Sequence, residues 1–159
     1  MSSPEQTPIL AAEVWDRQLK AGQSGEWSVL ATTIAPGCVW SVVTQGAVFR
    51  GRDEVIGFIR AGFDAAATRE RPDVRGEFST TESGVYEYTS RGTIDPNHAK
   101  AFARRLTGGR PIITSGLAKI VGWAMSGKSF VVPVCFVYHV NQDGQIDRVN
   151  EYVGKRSTT

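Results

Sequence analysis

Two β-rich runs close the chain, Ser129–Val140 (SFVVPVCFVYHV) and residues 145–153 (QIDRVNEYV), and only Asn141-Gln142-Asp143-Gly144 separates them. A link ending in Asp-Gly between alternating, β-branched segments predicts a hairpin, because glycine supplies the positive φ that tight turns need. The second strand then sets Val149, Glu151 and Val153 on one face, since side chains alternate along a strand. A carboxylate between two valines interrupts a face that would otherwise stay apolar. Glu151 is therefore the first candidate for chemistry.

The 159 residues suffice for one domain with a real core and no disulfide or metal staple. The expected organisation is a loose N-terminus over 1–7, one domain over 8–154 and a tail over 155–159. A net charge of +2 argues against a dedicated nucleic-acid binder. No apolar run reaches the roughly 18–20 residues that span a bilayer, and MSSPEQTP lacks the basic start and apolar stretch of a signal peptide. The expectation is a cytoplasmic protein with neither membrane nor nucleic-acid partners. Cys38 and Cys135 have no CxxC spacing and sit in apolar runs, so they read as buried free thiols. His98 and His139 form no HxH or HxxxH pair, and no metal is expected.

Along the chain, Ile9, Leu10, Val14 and Leu19 recur at helical spacing over 8–20, and glycines at 22 and 25 break the pattern. A second short helix is predicted over 26–34, and a strand over 38–44 turns at Gln45-Gly46 into a partner at 47–50. Asp53 is the expected cap of a third helix that runs to about residue 67. After the polar stretch 68–73, strands over 74–81 and 85–93 form a second hairpin about Glu82-Ser83-Gly84. The segment 95–128 is the least regular and reads as an insertion or lid. Within it 98–106 suits a helix, and 117–125 suits strand or helix. Helices in the first half and long antiparallel strands in the second give an α+β layout, three helices on one side of a curved antiparallel sheet.

Four segments, CVWSVV with FRGRDEVIGFIR, YEYTSRGT, GKSFVVPVCFVYHV and DGQIDRVNEYV, carry a resemblance to the nuclear transport factor 2-like superfamily. The chain is most similar to its SnoaL-like polyketide cyclase and limonene epoxide hydrolase branches. The resemblance implies a cone-shaped α+β barrel that holds a small hydrophobic ligand, a homodimer, and no cofactor. Enzymes of the family often place an acid on the last strand in a pattern like W-R-D-Y. Val149-Asn150-Glu151-Tyr152 stands there, with one methylene more in the acid. Where the cyclases often show G-T-H, this chain has Gly92-Thr93-Ile94, and the hydrolases' tyrosine, asparagine and Arg-x-Asp are not reproduced.

Flanked by valines, Glu151 is expected to resist ionisation and to serve as a general acid or base near neutral pH; the competing reading is a carboxylate satisfied by a nearby arginine or by the dimer partner. His139 and Tyr88 are its candidate catalytic companions, the imidazole to trade a proton and the phenol to steady an oxyanion. Trp15, Trp40, Phe58, Tyr86, Trp123, Cys135 and Tyr152 are candidate ligand-lining residues. Gly122 to Ser129 matches the phosphate-loop pattern G-x-x-x-x-G-K-S, but a strand follows where that motif requires a helix, so the match is read as chance. Two functions remain open at this point. One is a cofactor-independent cyclase, isomerase or dehydratase acting on a small hydrophobic carbonyl compound, polycyclic ones included. The other is a non-catalytic small-molecule-binding or dimeric accessory protein of the same fold.

Overall fold

The computed structural model describes residues 10–108 and 129–155. Helix α1 (Ala11–Ser24) runs through Gly22 and stops at Gly25, which takes the left-handed conformation. It lies a few residues later than the periodicity predicts, and its buried stripe, Val14, Trp15, Gln18, Ala21 and Gly22, takes in the first of the two glycines. Helix α2 (Trp27–Thr33) leads directly into strand β1 (Ile34–Val42), and a 3-10 turn at Val43–Gln45 returns the chain as β2 (Ala47–Arg50). Helix α3 (Arg52–Asp64) follows, with Gly51 rather than Asp53 at its N-cap. The first turn is instead tied down by Glu54, whose Oε2 accepts the Arg50 backbone N–H at 2.7 Å.

Strand β3 (Ala66–Arg69) takes the place of the expected end of the third helix and the start of the polar stretch. It is followed by β4 (Asp73–Ser79), β5 (Ser83–Ile94) and a fourth helix, α4 (Pro96–Thr107). Asp95 caps α4 by accepting the Asn97 N–H at 2.8 Å, with Pro96 in the first turn. Strands β6 (Ser129–Val140) and β7 (Ile146–Val153) complete the described chain. Their link is the expected turn: Gly144 has φ 70°, and the Asn141 side chain accepts the backbone N–H groups of Asp143 and Gln145. Such a φ is readily reached by glycine and rarely by other residues.

The sheet order is β2-β1-β7-β6-β5-β3, with β4 also paired to β5. It is a curved, unclosed sheet of seven strands. All described pairings are antiparallel except β1 with β7, so the sheet is mixed. Those two strands enter from separate hairpins and meet edge to edge, which leaves their direction free of the hairpin constraint. One face carries Cys38, Trp40, Phe49, Tyr86, Phe136, Tyr138 and Val149, all buried, and the helices cover it. Trp15 of α1 stacks on Tyr138 at 4.4 Å between ring centroids and touches Phe136 at 5.0 Å. From α3, Phe58 stacks on Phe49 at 4.2 Å.

Candidate functional site

Register decides which residues share the covered face. Trp40 sits opposite Val149 on β7 and Phe49 on β2, Glu151 is opposite Val42 and Phe136, and Tyr86 is opposite Phe136. Tyr88 pairs with Val134, which in turn pairs with Val153. Glu151 thus points to the helix-covered side of the sheet, among aromatic rings. The residue is half-buried, and the Trp40 indole Nε1–H donates to its Oε2 at 2.8 Å.

The electrostatics follow from this placement. Burial pushes the Glu151 carboxyl up from 4.5 to about 7, against the pull of the Trp40 hydrogen bond and the Arg69 charge, which both favour the carboxylate. Both protonation states are therefore available at neutral pH. Tyr88 is pushed up to about 12, mainly by burial, so its phenol keeps its proton. Its ring stacks with Phe136 at 5.9 Å and lies tilted beside Tyr86 at 5.5 Å between centroids.

Arg69 is a member of this group that the sequence reading does not single out. It stands opposite Gly92 on β5, on the same face as Tyr88. Its Nη2–H donates to the Gly62 carbonyl at 2.7 Å, and its guanidinium lies over the Phe63 ring, 4.2 Å from the centroid. Arg69 is exposed as a whole residue, but desolvation of its guanidinium lowers its pKa, and the acidic groups of Tyr88 and Glu151 pull it back up. A Cβ on Gly92 would overlap the Thr68 carbonyl, so this glycine lets β3 approach closely enough to bring Arg69 to the site.

The remaining candidates separate clearly. Trp15, Trp40, Phe58 and Tyr86 lie on the covered side, Trp15 as a fully buried core ring. His139, Cys135 and Tyr152 lie on the opposite face of the sheet, which corrects the expectation that they share a site with Glu151. The registers His139 with Arg148 and Cys135 with Tyr152 place all three on the alternate set of positions from Phe136 and Glu151. His139 is engaged there by Asp147, Nδ1 to Oδ1 at 2.6 Å. Of the two thiols, Cys38 is buried and Cys135 is half-buried. Trp123 and most of the phosphate-loop-like stretch lie outside the described residues. A groove of about 500 Å³ between α3 and α4, lined in part by Asp53, Arg60, Asp64, His98 and Arg105, does not include Glu151. It uses the face of α3 opposite to Val55, Phe58 and Ile59. Among the described residues no group of histidine, cysteine or carboxylate side chains is placed to hold a metal ion.

A family model described as a SnoaL-like domain matches residues 15–149. No curated protein matches the chain. Among solved structures, one described as a SnoaL-like polyketide cyclase from Jannaschia sp. CCS1 superposes with a TM-score of 0.67 at 18% identity, covering 95% of this chain and 91% of that one. Another so described, from Shewanella denitrificans OS-217, gives 0.64 at 11% identity over 91% and 90% of the two chains. A limonene epoxide hydrolase-like enzyme from M. tuberculosis gives 0.59 at 14% identity over 91% and 82%. At these identities the structures share the fold.

Proposed function

The chain belongs to the SnoaL-like domain family, and on that premise we propose that it is a cofactor-independent acid/base enzyme acting on a small hydrophobic carbonyl compound. Glu151 is the proton-transfer group, and Tyr88 donates to the oxygen on which negative charge develops. The observation that carries this reading is the Glu151 carboxyl itself, turned toward the helix-covered face and poised at about 7. A general base works best when its pKa lies near the working pH. The carboxylate removes a proton from the carbon beside the carbonyl, the electron pair moves to oxygen, and the protonated acid returns the proton to a second position. A phenol that stays protonated to about 12 fits the donor role in that enolate, and it is ill suited to be the base.

An accessory or storage role would be supported by a permanent arginine partner for Glu151. Among the described residues no ion pair to Glu151 occurs, and its Oε2 accepts a hydrogen bond from the neutral Trp40. This favours the enzyme reading. Homodimerisation belongs to the same proposal: Val137 and Tyr152 are 39% and 40% exposed on the outer sheet face, and sedimentation velocity tests whether two copies associate. A cytoplasmic setting completes the proposal; among the described residues no helix is long and apolar enough to cross a membrane.

The test does not require the natural substrate. 1-Tetralone, an apolar bicyclic ketone, exchanges its α-protons with deuterium oxide slowly, and NMR follows the loss of signal. The protein is expected to accelerate that exchange and Glu151→Gln to abolish the acceleration. Equal exchange with both proteins would sink the acid/base reading.

A further inference from the structure

We infer that Arg69 anchors an oxyanion of the ligand, so that the site selects an apolar compound bearing a carboxylate or enolate oxygen. This deepens the proposed function and rests on it. A guanidinium offers five N–H groups in one plane, and the hydrogen bond of Arg69 to the Gly62 carbonyl uses one of its nitrogens. Among the described residues it has no ion pair, whereas Arg60, Arg75, His98 and His139 each have one. The guanidinium sits over Phe63, 4.2 Å from the ring centroid, and N–H groups beyond the one on Gly62 can receive two oxygens side by side, the geometry in which arginine differs from lysine.

Position supports the same conclusion. The β3 register with β5 sets Arg69 on the face that carries Tyr88, four residues along β5 from its partner Gly92. Its charge is felt at both Tyr88 and Glu151. A ligand with its oxyanion on Arg69 and its apolar body along Tyr88 and Phe136 would bring its ring system toward Glu151. Gly62 and Phe63 end α3 and Arg69 ends β3, so two elements hold the guanidinium.

The experiment compares 2-naphthoate with its neutral amide, 2-naphthamide, by titration calorimetry on the full chain at about pH 6, where the naphthoate is ionised. The expected result is a preference for the carboxylate of about tenfold or more, the size of one charge-assisted contact. Arg69→Gln is expected to erase the preference and Arg69→Lys to keep part of it. Equal affinity for both compounds in the native protein, no binding of either at millimolar concentration, or a preference that survives in Arg69→Gln would overturn the assignment and leave Arg69 as a clamp between α3 and β3. Glu151→Gln separates the two readings. It should bind naphthoate with the same preference, so a protein that prefers naphthoate but does not exchange tetralone protons has lost only the acid/base role.

Discussion

The indole N–H of Trp40 and the carboxylate of Glu151 meet at 2.8 Å across 111 positions of sequence. Parallel pairing of β1 with β7 makes this contact, because it sets Trp40 opposite Val149 and Val42 opposite Glu151. A hydrogen bond to the charged form lowers a carboxyl pKa, so the bond offsets part of the burial that raises it. Trp40→Phe removes the donor and keeps an aromatic ring. The Glu151 pKa is expected to rise above its present value, visible as an upward shift of the carboxyl infrared titration; an unchanged titration would show that the bond contributes nothing to the charged form.

Stability should record the same carboxyl. With a pKa of 4.5 in the unfolded chain and about 7 in the fold, the native state holds a proton that the unfolded state has lost between those limits. Stability contributed by the neutral acid is fully present below about pH 4.5 and is lost as pH rises through about 7. The loss amounts to at most about 3 kcal/mol, at 1.36 kcal/mol per pKa unit. Glu151→Gln, which cannot ionise and can still accept from Trp40, is expected to match the native protein near pH 4 and to exceed it by up to that amount near pH 8. Urea denaturation at the two pH values measures the difference, and parallel curves for both proteins would contradict the assignment.

Gly92 is where the site depends on backbone approach. Adding a methyl group would drive it into the Thr68 carbonyl, a backbone atom that cannot rotate away, and would strain the Thr68–Thr93 side-chain hydrogen bond of 2.7 Å beside it. Gly92→Ala is expected to cost about 1–3 kcal/mol, the usual range for overpacking. Hydrogen exchange should locate the damage in β3. The same variant should lose the preference for naphthoate, since β3 carries Arg69.

The two thiols should differ in reactivity. Cys38 is fully buried on β1 and its pKa is pushed up to about 12, chiefly by burial, so its thiolate is scarce and out of reach. Cys135 is half-buried on the outer face, and burial raises its pKa as well. Thiolate fraction and access govern thiol reactions. An aromatic disulfide reagent is expected to label Cys135 slowly in the folded protein and Cys38 only in denaturant. Prompt labelling of Cys38 in the fold would contradict its placement.

How much of this the sequence discloses depends on whether a pattern has one reading. The β6–β7 hairpin was legible because Asp143-Gly144 and the alternation of β7 agree, and Glu151 stood out as a charge on an apolar face. The face of β6 was not legible. Phe130, Val132, Val134 and Phe136 are as apolar as Val131, Pro133, Cys135 and Val137, so either set could face the helices. The pairing of Tyr86 with Phe136 and of Phe136 with Glu151 decides it, and it places His139 and Cys135 outside. Arg69 was hidden for a different reason. Thr68-Arg69-Glu70-Arg71-Pro72-Asp73 has the composition of a linker, and the four-residue strand it joins is too short to show a period. Its location depends on a glycine more than twenty residues away.

Glu151 also carries one methylene more than the aspartate of the W-R-D-Y pattern in similar enzymes, and that extra reach has a partner here. Trp40 meets the carboxylate at 2.8 Å, so withdrawing the group by one carbon would break the bond and, in the proposed mechanism, move the base away from the substrate carbon. A displacement of about 1 Å commonly costs on the order of 100-fold in rate. Glu151→Asp is therefore expected to slow tetralone exchange by roughly that factor, to remain faster than Glu151→Gln, and to lose the sensitivity to Trp40→Phe. A double-mutant cycle between the two positions checks this directly. If the aspartate variant is as fast as the native protein, the carboxylate needs only to face the interior, and the contact with Trp40 has a packing role alone.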